Sequence, residues 1–123
     1  GNINGCVCID APKLKKLFIP ASVKNIEVSI TANCKNLEKI EVDPANENFT
    51  SVEGVVYNKQ LTTLINIPAG LKAQKLKVPD TVTEIKRWSA TGLVNLKTIE
   101  IPKAAQIGDH AFDGTKNIRV IRY

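Results

Sequence analysis

The stretch Leu14-Lys15-Lys16-Leu17-Phe18-Ile19-Pro20 returns later in the chain as Leu96-Lys97-Thr98-Ile99-Glu100-Ile101-Pro102, with its aliphatic residues and its proline at the same offsets. Working outward, Pro20 is followed by Val23 and Ile26, and Pro79 by Val82 and Ile85, again in step. Both segments then run eleven residues to Leu37 and Leu96, and a further copy runs eleven residues from Ile107 to Ile118 after losing one residue between Pro102 and Ile107. The anchor positions Leu14, Leu37, Ala73, Leu96 and Ile118 are therefore 23, 36, 23 and 22 residues apart. A period of this length marks a solenoid, because a unit so short cannot bury its apolar face except against its neighbours.

One interval is too long. It holds Asn48 to Pro68, two β-prone runs around a polar turn, and reads as a hairpin-like insertion carrying its own strand. Each copy opens with a strand whose inward residues alternate, such as Leu17 and Ile19, and which a proline ends. The expected architecture is mainly β, a right-handed solenoid with one short strand per coil forming a single sheet. Its return path is too short for full helices and is expected to hold turns, 3₁₀ pieces and short extended stretches. We expect one domain over 1–123. Its repeats run approximately 14–36, 37–72 with the insertion at 43–68, 73–95 and 96–117, and a terminal strand covers 118–123. The segment Gly5-Cys6-Val7-Cys8 echoes Gly54-Val55-Val56-Tyr57 of the insertion.

Composition agrees with a thin layered core. Only 5% of residues are aromatic and Met is absent, so Ile, Leu and Val must fill the interior. No run approaches the roughly 18 apolar residues of a membrane helix. A net charge of +5 could draw anionic partners, yet the basic residues are scattered and the longest runs are the pairs Lys15-Lys16 and Lys86-Arg87. Without a basic stripe or interleaved aromatics, specific nucleic-acid binding is not expected. Three cysteines leave at least one unpaired within the chain and make no disulfide framework, and there is no CxxC to suggest zinc or redox chemistry. No signal peptide is visible, but Gly1 in place of an initiator Met reads as the scar of a cleaved tag, so the absence of a targeting segment is uninformative.

Ile107-Gly108-Asp109-His110-Ala111-Phe112-Asp113-Gly114-Thr115, together with the Leu-x-x-Ile-x-Ile-Pro strands, resembles the BspA-like, or Treponema pallidum type, leucine-rich repeats. In that pattern Cys34 takes the cysteine position that Leu93 and Thr115 fill elsewhere, while Ile30-Thr31 and Ser89-Ala90 replace Ala-Phe. The interruption from Val42-Asp43-Pro44 to Ile67-Pro68 also looks like one common in the family. The resemblance covers nearly the whole chain from Gly5 and implies a bacterial surface or secreted protein, hence an extracellular location.

Few residues carry catalytic chemistry. His110 is the sole histidine, so a multi-histidine metal site is excluded and any Ser-His-Asp or Cys-His proposal rests on this one ring. It lies between Gly108 and Ala111, where the repeat places solvent-facing residues. Asp43, with Glu41 and Glu47, lacks the alternation of a calcium loop and reads as an Asx-type turn. There is no GxGxxG, Walker loop, GxSxG or HExxH, and no cofactor is expected. Cys34 reads as a small buried hydrophobe. Trp88, between Ile85 and Ser89, reads as filling the space left by the missing Phe or as a solvent-facing anchor for a partner.

The remaining candidate is the outward row of the sheet. It reads Lys16 and Phe18, Lys39 and Glu41, Thr63 and Ile65, Lys75 and Lys77, Thr98 and Glu100, Val120 and Arg122. We take Lys16, Phe18, Lys39, Glu41, Ile65, Lys75, Lys77, Trp88, Glu100 and Arg122 as candidate contacts for a protein or glycan. The alternative is that the mixed charges are cross-strand pairs that keep a structural spacer or capping fragment soluble. An enzyme built on His110 is a remote third reading. The final strand leaves a sheet edge, so self-association through it is a further expectation.

Overall fold

The computed structural model describes residues 2–3, 13–26 and 34–123, with side chains from residue 13 onward. The expectations for Cys6, Cys8, the Gly5–Cys8 echo and Ile30-Thr31 lie outside the described residues. The chain forms a solenoid of strands and turns, and no described residue is helical. Its strands are β1 (Asn2–Ile3), β2 (Lys16–Ile19), β3 (Asn25–Ile26), β4 (Lys39–Val42), β5 (Phe49–Val52), β6 (Val55–Asn58), β7 (Thr63–Asn66), β8 (Lys75–Lys77), β9 (Glu84–Ile85), β10 (Thr98–Ile101), β11 (Gln106–Ile107) and β12 (Arg119–Arg122).

The proline motif has a direct mechanical role. In each coil the carbonyl of the proline accepts a hydrogen bond from the residue three further on: Val23 from Pro20, Leu71 from Pro68, Val82 from Pro79 and Ala105 from Pro102. Proline has no N–H to extend the ladder, so the strand stops and the chain turns. The fourth residue of the turn then points inward and is buried in all four coils.

The opening strands of the coils form a parallel row, β2 with β4 and β8 with β10 and β12. This row is broken between β4 and β8, so it is not one unbroken sheet. The insertion stands in the break, where Ile40 donates its N–H to the Gly54 carbonyl and Val42 donates to Ser51 Oγ. The return path carries a second row of strands. There β1 pairs with β3, and β11, β9, β7, β6 and β5 form a five-stranded sheet.

The insertion is a three-stranded meander. Val52 and Val55 face each other across a two-residue turn, in which Glu53 and Gly54 both have positive φ, 53° and 84°, as a type I′ hairpin requires. Asp43 makes the expected Asx turn, accepting the Ala45 N–H at 2.9 Å. Strand β7 then runs parallel to β9, with Leu64 opposite Ile85. This corrects the expectation for Thr63 and Ile65: they belong to the second row, and Ile65 is buried at 8% exposure. Their pattern, Leu-x-x-Leu-x-x-Ile-Pro, offers similar apolar spacing to either row, so periodicity alone could not choose between them.

The meander also divides the interior. Val55, Tyr57, Leu64 and Ile67 enter a core with Leu76, Ile85, Leu96, Ile99 and Ile101. Val56 and Ile65 point the other way, into a core with Ile19, Ile26, Leu37 and Ile40. Alternating side chains of one strand thus serve two cores, which explains why Val55, Val56 and Tyr57 are all buried. Buried Asn46 ties the insertion to the first coil. Its amide donates to the Pro20 and Val23 carbonyls, both at 3.0 Å, and its carbonyl accepts from the N–H groups of Asn48 and Phe49.

A second correction concerns the last strand. Arg119 lies opposite Thr98 and Ile121 opposite Glu100, so Val120 and Arg122 are in register with Ile99 and Ile101 rather than on the outward row. Asn117 adopts a left-handed conformation, φ 60°, and the pairing falls one residue earlier than the aliphatic spacing implies; one residue of register exchanges the two faces. Arg122 instead donates to the Lys103 and Ala105 carbonyls at 2.9 and 2.6 Å, closing the last turn.

Two glycines of the repeat differ in what they require. A Cβ on Gly108 would lie 2.5 Å from the Arg87 backbone nitrogen of the preceding coil, whereas one on Gly92, at φ +62°, would meet nothing within 4 Å. We predict that Gly108→Ala costs about 2–3 kcal/mol by forcing neighbouring coils apart. Gly92→Ala should cost only about 1–2 kcal/mol, from backbone conformation alone. Equal losses in urea denaturation would contradict the difference. Asn46→Ala, which strips a saturated buried amide and leaves two carbonyls and two N–H groups to re-pair, is expected to cost about 3 kcal/mol in the same measurement.

Candidate recognition face

On the first row of strands the side chains that alternate with the core residues face solvent. Lys16 lies opposite Lys39 and Phe18 opposite Glu41. The two like charges are reconciled by Glu41, whose Oε1 is 2.9 Å from Lys39 Nζ and 3.3 Å from Lys16 Nζ. The Lys39 ammonium first, and then that of Lys16, hold the Glu41 carboxyl below the usual carboxylate range. Glu41 therefore stays ionised into acid where a free glutamate would protonate. Lys75 reaches Glu100 at 3.3 Å, and Lys72 reaches Glu38 at 3.6 Å. Exposed pairs like these contribute at most about 1 kcal/mol each, so their main effect is to order the long side chains over the face.

Phe18 stands out from this charged surface with 54% of its area exposed. No core contact accounts for so large an apolar side chain on a sheet face. Nearby, the break between β4 and β8 opens a hollow of about 580 Å³. It is lined on one side by Glu38, Lys39 and Glu41, at its floor by Ser51, Glu53 and Gly54 of the hairpin, and on the other side by Leu71 and Lys72. The face is thus notched rather than flat. Sequence reading missed the hollow because it exists only where the hairpin tip lands between two coils. The one local signal was Glu53-Gly54, a dipeptide suited to a tight turn.

The expected face residues are therefore divided. Lys16, Phe18, Lys39 and Glu41 lie together on β2 and β4, and Lys75, Lys77 and Glu100 lie together on β8 and β10 across the break. Ile65 is in the core and Arg122 is occupied in closing a turn, so neither joins them.

Trp88 is on the return path. Its ring stacks on that of His110 in the next coil, with centroids 4.6 Å apart and planes 8° from parallel. Both residues have φ 59°, a left-handed conformation that costs bulky side chains about 1–3 kcal/mol unless the surroundings impose it. Here the stack and the tight coil spacing impose it twice, at equivalent repeat positions. His110 Nδ1 is also 2.9 Å from Asp113 Oδ2. The partners of the imidazole are thus an exposed carboxylate and an aromatic ring. Ser89 and Ala90 are fully buried where the next coil has Ala111 and Phe112, and Ser89 Oγ has no hydrogen-bond partner among the described residues.

Cys34 is also corrected. It is completely buried, as a small apolar residue would be, but it is disulfide-bonded, and its partner lies outside the described residues. Among the described residues, no group of three or more His, Cys, Asp or Glu is arranged to hold a metal ion, and no helix is long and apolar enough to cross a membrane.

Among solved structures this chain is similar to bacterial proteins, two of them described as leucine-rich. The pneumococcal vaccine antigen PcpA aligns over 88% of this chain with a TM-score of 0.81 and 29% identity. A leucine-rich cell surface protein from Faecalibacterium prausnitzii aligns over 90% with a TM-score of 0.76 and 23% identity, which bears on fold alone. A leucine-rich-repeat protein from Eubacterium ventriosum aligns over 89% with a TM-score of 0.67 and 27% identity. The chain spans only 27%, 30% and 36% of those three chains. No curated protein matches it. The model of the BspA-type leucine-rich-repeat region matches residues 3–73 and 69–123 in six copies. With proline-ended strands, period and stacked coils all in agreement, this chain belongs to the BspA-type leucine-rich-repeat family.

Proposed function

We propose that the protein is a non-enzymatic bacterial recognition module, at the cell surface or secreted, that binds a protein or glycan through the face of β2, β4, β8 and β10. The observation that carries this reading is Phe18, 54% exposed among ordered charges and on the same face as a hollow of about 580 Å³. A large apolar group held on a rigid strand and ringed by polar side chains is the composition of an interface centre, where aromatic anchors contribute most of the affinity. The location is supported by the description of the pneumococcal neighbour as a vaccine antigen. It is supported independently by the Cys34 disulfide, since disulfides persist in oxidising compartments and are rare in the cytosol. A spacer role draws its support from the mutual pairing of Lys16, Lys39 and Glu41, which leaves less charge for a ligand.

Pull-down from host extracellular material and a glycan array, run on the wild-type chain and on Phe18→Ala/Glu41→Ala/Glu100→Ala, separate the two. Binding weakened at least about tenfold in the variant, with an unchanged melting profile, is expected for a recognition face. Equal binding, or none by either protein, would favour the spacer.

We also propose that the outer edge of β12 supports self-association, because Val120 and Ile121 are each 36% exposed beside a strand with no further neighbour among the described residues. The mass in light scattering should then rise with concentration; a constant monomer mass would refute it.

A further inference from the structure

A second hollow, of about 300 Å³, lies on the other side of the hairpin tip. It is bounded by Val52 and Glu53, by Leu76 to Asp80 at the end of β8, and by Tyr57 and Tyr123. Tyr123 is held across its mouth: the phenol donates to the Val78 carbonyl at 2.5 Å, and the backbone N–H bonds to the Ile101 carbonyl. The space equals about ten water molecules, enough for one long side chain.

Its polar groups are poorly matched to one another. Tyr57 is buried to 1% exposure and lines the hollow. Glu53 and Asp80, which also line it, have no ion-pair partner among the described residues. Two carboxylates thus face a single ammonium, that of Lys77, which sits 4.7 Å from the centroid of the Tyr123 ring. Burial first, then the Glu53 charge, pushes the Tyr57 phenol up, and Asp80 and Glu100 add to desolvation in doing the same to Tyr123. Both tyrosines therefore stay neutral, and the field they report is negative.

We propose that this hollow binds an arginine side chain of a partner polypeptide, with the guanidinium between Glu53 and Asp80, donating to Tyr57 Oη and lying against the Tyr123 ring. Lys77 shows that the ring accepts a cation, and a planar fork of five donors can reach two carboxylates and a phenol where a point charge cannot. The partner is a polypeptide because β8 is the end strand of its row. The Val78 N–H bonds to Glu100, so the main-chain groups of Lys77 alternate to the opposite side, where the hollow lies and an extended backbone can pair with them. The site lies beside the broad face proposed above and does not depend on it.

Amide NMR titration of the whole chain with N-acetyl-arginine-N-methylamide, beside the neutral isostere N-acetyl-citrulline-N-methylamide, tests the proposal. Saturable shifts confined to Val52–Gly54, Lys77–Asp80 and Tyr123 are expected with the arginine probe, and binding at least tenfold weaker with citrulline. Glu53→Gln/Asp80→Asn, both exposed and compatible with the fold, should weaken the arginine probe at least tenfold. Tyr57→Phe should weaken it several-fold if its spectrum remains native. No saturable shifts, equal response to citrulline, undiminished binding by the double variant, or shifts centred on Glu41 and Glu100 would each overturn it.

Discussion

Everything in this structure depends on coils being stacked closely enough for each to bury its neighbour's aliphatic ladder. Individual coils are too small to hold a core, and the repeat spends its special residues on keeping them close. Proline ends each strand and turns the chain inward. Gly108 lets the backbone of one coil approach that of the next at a distance no Cβ allows. Small buried residues, Ala90 and Ala111 among them, keep the return path thin.

The insertion would be expected to weaken such a stack, since it opens the parallel row between β4 and β8. The apolar interior nevertheless continues on both sides of it, because β6 behaves as a wall with two apolar sides. Val55 and Tyr57 extend the ladder of the later coils and Val56 that of the earlier ones. A β-strand can do this without rearrangement, because its side chains alternate by 180°. Asn46 completes the join by donating to two carbonyls of the first coil's turn, those of Pro20 and Val23. The break that the wall spans is also where relief enters an otherwise even surface, and both hollows flank the same hairpin tip. Recognition features and structural repair thus arise from one element.

Electrostatics on the face follows from register. Parallel pairing places Lys16 beside Lys39, a repulsive contact, and Glu41 is near enough to both to compensate. Across the break Lys75 and Glu100 repeat the arrangement. Around the smaller hollow no such ion pair occurs among the described residues, and Glu53 and Asp80 share its lining with Lys77. The net positive charge of the chain gives no hint of this local reversal.

By itself the sequence determined the period, the proline-ended strands, the turns and the family, because these are carried by residues within one coil: alternation in Leu17 and Ile19, the missing N–H of Pro20, the small residues at Gly108 and Ala111. It also showed where the period failed. What it left open were the choices between coils. Thr63-Leu64-Ile65 fits either row, and only pairing with β6 and β9 decides that Ile65 is buried. The last strand is displaced by one residue relative to its aliphatic spacing, and only its ladder with β10 shows that Arg122 closes a turn instead of facing solvent. Cys34 looked like one small apolar residue among others until the fold placed it in a disulfide. The hollows belong wholly to the tertiary structure, since Glu53, Tyr57, Asp80 and Tyr123 share no pattern in the sequence and meet only because a hairpin, a strand end and the last residue converge. Periodicity records which face of a residue is apolar, whereas the pairing of distant segments decides which other residue that face will meet.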